Sequence, residues 1–292
     1  MWTAITLLAT LAADPAATLT EGAVVMVADG FEFTEGPVWM PTLETVLFSD
    51  IPANRIYRLD NKQVFREPSG QSNGLLLDTE GRLLAAEHKG RRVSRTLADG
   101  TIEAVAAAYE GKRFNSPNDL IVRSDGVIFF TDPPYGLEGG LEGPNAELDF
   151  SGVYAILAGG TVKLLAKDFI KPNGIALSPD EKTLYVADTE ARHIRAFDLA
   201  EDAGISNGRV LCDIPPPDGM AIDADGNLWA TGGKAINVIS PSGQLLQEIT
   251  VPEAPANCTF GGPARKTLYI TARTGVYKIR TKVPGLAPLH RQ

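Results

Sequence analysis

The 292-residue sequence has only two cysteines and three histidines. That supply cannot build a thiolate cluster or a Cys₂His₂ set, so a structural zinc site is not what organises the chain. Cys258 falls on an innermost strand of the reading below and Cys212 on a strand nearer the rim. A disulfide between them would exceed the usual Cα separation, and none is expected. Positive charge is also scarce: 27 Lys and Arg face 36 Asp and Glu, for a net charge of −9 and a pI near 4.9. The basic footprint of a nucleic-acid binder is missing. Polyanionic and phosphorylated substrates are disfavoured, and cations favoured. No apolar run is long enough to span a membrane, so neither nucleic acid nor membrane is expected as a partner. There is no Gly-x-Ser-x-Gly nucleophile elbow, and no glycine-rich phosphate loop opens a helix. Catalysis in such a chain is expected to be metal-assisted.

The N-terminus reads two ways. Residues 4–13 are almost wholly apolar and are followed by small residues, as in a secretory signal. The first cationic side chain, however, is Arg55, so the positive start of a signal is missing. Residues 1–20 therefore read as a signal peptide or a disordered leader. Localisation follows that choice: periplasmic or secreted with a signal, cytoplasmic without one.

What the chain has is a repeat. Six strand-like segments open with an acid or amide: Glu35, Asn73, Asn118, Asn173, Asp218 and Asn257, spaced 38, 45, 55, 45 and 39 residues apart. Each opener leads an apolar run, then an Asp/Gly turn such as Asp78–Gly81 or Asp223–Gly226, then a second apolar run such as Leu184-Tyr185-Val186-Ala187-Asp188. Asp-Gly between apolar runs is a strong hairpin signal. All-strand repeats of this period predict an all-β, six-bladed β-propeller over residues 21–282, with a C-terminal tail over 283–292. After Ile279 the sequence offers no further strand, so the last unit lacks its fourth. The run Ala23–Val27 has no blade of its own, and closure by this N-terminal strand is expected. Trp39 and Trp229 are expected between blades.

In a propeller the six openers converge on the axis. Three or more carboxylates meeting there repel one another unless a hard cation joins them. Carboxylate and amide oxygens suit such a cation. An outer ring is expected from the ends of the second strands: Asp50, Glu87 with His88, Asp132 and Asp188. His88 is a candidate acid or base, while His193 reads as structural. The long connection from Asp132 through Tyr135 to Asp149 explains the 55-residue spacing and is expected to form a lid over the openers.

The ordered pieces Glu35-Gly36-Pro37-Val38-Trp39, Ser116-Pro117-Asn118-Asp119, Thr131-Asp132-Pro133-Pro134-Tyr135-Gly136, Pro172-Asn173-Gly174 and Pro217-Asp218-Gly219-Met220 resemble the senescence-marker-protein-30/gluconolactonase/luciferin-regenerating-enzyme family. The resemblance runs from about residue 30 to 280, and Asp-Pro-Pro-Tyr-Gly-Leu resembles its bacterial gluconolactonase branch. It implies a metal-dependent hydrolase that opens sugar lactones. It implies one divalent cation held by Glu35, Asn173 and Asp218 with Asn118 beside it. Calcium fits best, with magnesium, manganese or zinc as alternatives. Asp218 is implied as catalytic base, and Asn118, Asp132, Tyr135 and His88 as groups facing the lactone. Rival readings are a propeller hydrolase of another ester, lactone or organophosphate, and a non-catalytic binding propeller. A polar rim favours a polyhydroxy substrate.

Overall fold

The computed structural model describes residues 18–287. Within them the chain forms six four-stranded antiparallel sheets. Blade 1 runs outward through Thr34–Met40, Thr45–Asp50, Arg55–Arg58 and Val64–Arg66. The innermost strands of blades 2 to 6 are Ser72–Leu77, Leu120–Val122, Pro172–Leu177, Pro217–Ile222 and Pro255–Gly261. Each contacts the innermost strands of both neighbours, and the last contacts the first, which closes the ring. The chain is a six-bladed β-propeller, as its repeat predicts.

Closure occurs where it is expected. Thr20–Asp29 pairs antiparallel with Gly275–Thr281, from Thr20↔Thr281 to Asp29↔Gly275, and becomes the outermost strand of blade 6. Joining the two ends of the chain in one sheet ties the first and last units into a single closed ring. The apolar segment at residues 4–13 lies outside the described residues. The tail adds one bridge, Asp223↔Gly285, and Leu286 packs against the cluster that holds Ile214, Met220 and Ile222.

The hairpin turns are built as their sequence suggests. Asp78 Oδ1 accepts the N–H groups of Glu80 and Arg82 at 3.0 and 2.9 Å, and Asp223 Oδ1 accepts those of Asp225 and Asn227 at 3.0 and 2.8 Å. These local bonds satisfy turn amides that no strand partner reaches. Between blades the filling is aromatic. Trp39 stacks on Tyr269 at 6.2 Å, and Trp229 meets Phe260 edge-on at 5.4 Å. Both tryptophans are therefore packing residues. Cys212 and Cys258 are free.

One irregularity recurs at the site-bearing end. The ladder slips between Glu35 and Val38, Ser72 and Leu75, Pro172 and Ile175, and Pro217 and Met220. Such bulges re-aim side chains. The bulge also draws adjacent blades together, which explains the glycine after the opener. A Cβ on Gly174 would lie 2.3 Å from the Asp218 carbonyl oxygen, and one on Gly36 would lie 1.9 Å from that of Asn73. We predict that Gly174→Ala costs roughly 1–3 kcal/mol through forced separation of blades 4 and 5. Urea unfolding measures this, and an unchanged midpoint would contradict the close approach.

Candidate active site

The bulges deliver the openers to one end of the axis, where their side chains form a continuous network. Asn73 Nδ2 donates to Asn118 Oδ1, and Asn118 Nδ2 donates to Asn173 Oδ1 at 3.0 Å. Asn173 Nδ2 in turn donates to Thr189 Oγ1 at 3.0 Å and approaches the Tyr135 hydroxyl at 3.5 Å. Thr189 donates onward to the Pro217 carbonyl at 2.7 Å, beside Asp218. On the far side, Glu35 accepts the Gly36 N–H at 2.8 Å and faces Asp218. Glu35, Asn118 and Asn173 are buried, while Asp218 keeps some exposure. The structure thus brings together Glu35, Asn118, Asn173 and Asp218, with Asn73 and Asn257 completing the ring.

Burial and mutual repulsion set the protonation of these acids. Glu35 is held well above the ordinary carboxylate range, first by burial and then by the charge of Asp218. Asp218 is raised as well, by burial and then by the charge of Asp119. Burial pushes Asp119 up to about 7. Desolvation and like charge both favour the neutral acid, and a bound cation opposes both.

The outer ring differs from expectation. Asp50 accepts the N–H groups of Glu32 and Phe33 at 3.1 and 3.0 Å, and Asp188 accepts those of Ile170 and Lys171 at 2.8 and 3.0 Å. Asp132 accepts the Asn115 N–H at 2.8 Å. In each case the carboxylate holds the loop just before an opener, so the repeat of acids at this position is a repeat of loop staples. Asp132 is fully buried, and none of its hydrogen bonds reaches a ring side chain. It is not brought into the group that faces the axis. Glu87 is also fully buried, ion-paired with Arg66 and Arg92.

His88 does reach the ring, with Nε2 3.4 Å from Asn73 Nδ2. Burial lowers its pKa to about 4, so the imidazole is neutral at pH 7 and offers hydrogen bonds rather than charge. Tyr135 projects from the long connection and is 41% exposed. That connection lies on the ring face but is tied down. Arg91 Nη1 donates to the Asn145 carbonyl at 2.8 Å, Asn115 Nδ2 to that of Phe150 at 2.9 Å, and the Arg113 N–H to Glu147 at 2.7 Å. It forms an anchored wall above blade 3.

A cavity of about 430 Å³ lies elsewhere on the axis. Leu75, Leu77, Ile121, Ile175, Met220 and Phe260 line it, and Leu286 stands at its edge. Of the ring openers only Asn257 borders it. This chamber is apolar, whereas the polar groups open to solvent lie on the exposed side of the ring, at Asp218, Thr189 and Tyr135.

The donor set fits a hard divalent cation. Two carboxylates, buried Glu35 and partly exposed Asp218, converge with amide oxygens that each keep a second lone pair. Asn73 Oδ1 is buried at the same ring without a hydrogen-bond partner among the described residues. No three His, Cys, Asp or Glu side chains among the described residues converge on one point, so the amides are needed to complete a coordination set.

Fold and site define a six-bladed propeller whose axis carries an acid–amide ring at one mouth. The pattern of the SMP-30/Gluconolactonase/LRE-like region matches residues 33–274, and the chain belongs to that family. It is 33% identical over 293 residues to a gluconolactonase of Zymomonas mobilis subsp. mobilis, covering 90% of this chain and 82% of that one. It is 27% identical over 252 residues to a pentonolactonase of Haloferax volcanii, covering 82% and 81%. The solved structure of a gluconolactonase from Xanthomonas campestris is similar with a TM-score of 0.81 at 34% identity, covering 89% of each chain.

The raised acids give a pH signature in the cation-free protein. A carboxyl whose folded pKa exceeds its unfolded value of about 4 costs nothing below that pH, and costs fully once ionised in the folded state. Replacing Asp218 by Asn removes that cost. In EDTA, Asp218→Asn should therefore be more stable than the parent at pH 8, with an advantage that shrinks as pH falls toward about 4. Denaturant titrations across this range check the sign. A difference that grows on acidification would contradict it.

Proposed function

We propose that this chain is a lactonase, a carboxylic ester hydrolase, and that it works on sugar lactones with one divalent cation at the axial ring. The observation that carries the reading is the convergence of Glu35, Asn118, Asn173 and Asp218 in a chain whose lactonase relatives match it over most of its length. Glu35, Asn173 and Asp218 would hold the cation, with Asn118 beside it, and calcium suits this oxygen set best. When bound, the cation would supply Lewis-acid polarisation of the ester carbonyl and stabilise negative charge on its oxygen.

The chain's own residues supply the rest. Asp218 has the partial exposure that an attacking water requires, and as the exposed carboxylate of the ring it is the base. It takes a proton from water as the oxygen attacks the carbonyl carbon. Cleavage of the ring C–O bond then needs a proton at the leaving oxygen, and the protonated Asp218 is placed to return one. The Asn73 and Asn118 amides, neutral His88 and the Tyr135 hydroxyl offer hydrogen bonds to sugar hydroxyls. Burial keeps Tyr135 protonated, with its pKa up to about 12, so it can donate.

Two outcomes are expected. Sugar-lactone hydrolysis followed by pH-stat should vanish in EDTA and return with calcium, magnesium or manganese. Full turnover in stripped protein would remove the cation from the account. At metal about 100 times Kd, folding should gain about 2.7 kcal/mol, read as a rise in melting temperature.

The base assignment has its own test. Asp218→Asn keeps an oxygen donor but cannot accept the proton. It should retain cation binding at reduced affinity and lose kcat by about 10²-fold or more at saturating metal. Normal turnover in this variant would place the base elsewhere.

A further inference from the structure

Asp119 follows directly on the opener Asn118, yet it belongs neither to the ring nor to the loop staples. It is 8% exposed. Its Oδ1 accepts the Leu120 N–H at 2.9 Å, and its own N–H donates to Thr131 Oγ1 at 3.2 Å. The carboxylate shares the wall of one axial cavity with Ile175 of blade 4 and Asn257 of blade 6. Blades 3 and 6 stand opposite each other in a ring of six. A carboxylate on one that borders the same cavity as a side chain on the other lies near the axis. Gly74 of blade 2 makes the room, since a Cβ there would lie 2.6 Å from Asp119 Oδ1.

The same side chain borders the inner end of the apolar chamber, so it sits between the ring and a low-dielectric space. Among the described residues no lysine or arginine forms an ion pair with it. Its charge acts on both Glu35 and Asp218. No three carboxylates converge closely enough to share an ion, so Asp119 acts on a cation at the ring across space rather than by ligation.

We propose that Asp119 is the specificity-determining charge of the axial site, a non-ligating carboxylate beneath the ring that sets both the affinity for a cation and the preference for higher cation charge. The inference rests on the cation reading of the ring. Glu35 and Asp218 alone would neutralise a divalent ion, and Asp119 adds a third negative charge on the same axis. Coulomb attraction scales with the charge of the ion, so a buried carboxylate, ionised beside a bound cation, favours a trivalent cation over a divalent one. The Leu120 N–H holds that charge in place, and the chamber beneath limits screening.

Isothermal titration of the EDTA-treated full chain with calcium and, separately, lanthanum tests this. Asp119→Asn keeps the shape and an oxygen for the backbone N–H groups. It should weaken calcium binding by about tenfold and lanthanum binding by more, so that the lanthanum-to-calcium affinity ratio falls. Local damage alone would lower both affinities by the same factor, and an unchanged ratio overturns the proposal. If that variant does not fold, Asp119→Ser is titrated in its place under the same criterion, and an unchanged lanthanum-to-calcium ratio overturns the proposal. Absence of binding for both ions in the parent overturns the cation reading, and this inference with it.

Discussion

Negative charge confined at the propeller axis is the constraint on which the rest of this structure depends. Glu35 and Asp218 face each other there, and the charge of Asp119 acts on both across space, at the cost of desolvation and mutual repulsion. Left to local preference, such side chains would turn outward to water. The fold prevents this with devices repeated around the ring. Bulges aim the openers inward. Glycines after the openers let neighbouring backbones close in. Buried acids at the ends of the second strands, Asp50, Asp132 and Asp188, pin the loops that lead into the openers. Each device costs something locally, and each serves the same convergence.

The axis is divided into two chemical zones. At the ring, amides and carboxylates form a hydrogen-bonded belt from Asn73 through Asn118 to Asn173. Beyond it the same inner strands turn apolar and enclose the chamber lined by Leu75, Ile175, Met220 and Phe260. The alternation comes from the strands themselves: each follows a polar opener, bulged in every blade but the third, with aliphatic residues. An apolar floor strengthens every electrostatic interaction at the ring above it. It also directs a polar ligand to the other face, where Asp218, Thr189 and Tyr135 have access to solvent.

Much of this was legible in the sequence. The openers stand out because Asn-Gly and Asp-Gly pairs recur at blade spacing, and the missing fourth strand after Ile279 pointed to closure by the N-terminal strand. The convergence of Glu35, Asn118, Asn173 and Asp218 followed from the symmetry of a ring. What sequence could not show was the direction in which each remaining acid faces. Asp132 and Asp188 look like site residues by position, but their partners are backbone amides three-dimensionally adjacent and remote in sequence. Asp119 was hidden by its neighbour, since the repeat marked Asn118 as the opener. His88 reached the ring as expected, but its neutrality comes from burial, which no local motif records.

The central claim is that the axial charge is matched by one divalent cation. Crystals grown with manganese and measured at its absorption edge test this most directly. The account predicts a single anomalous peak on the axis, within about 2.0–2.6 Å of oxygens from Glu35, Asn173 and Asp218. An axis without a peak, or a peak bound only by surface carboxylates, would contradict it.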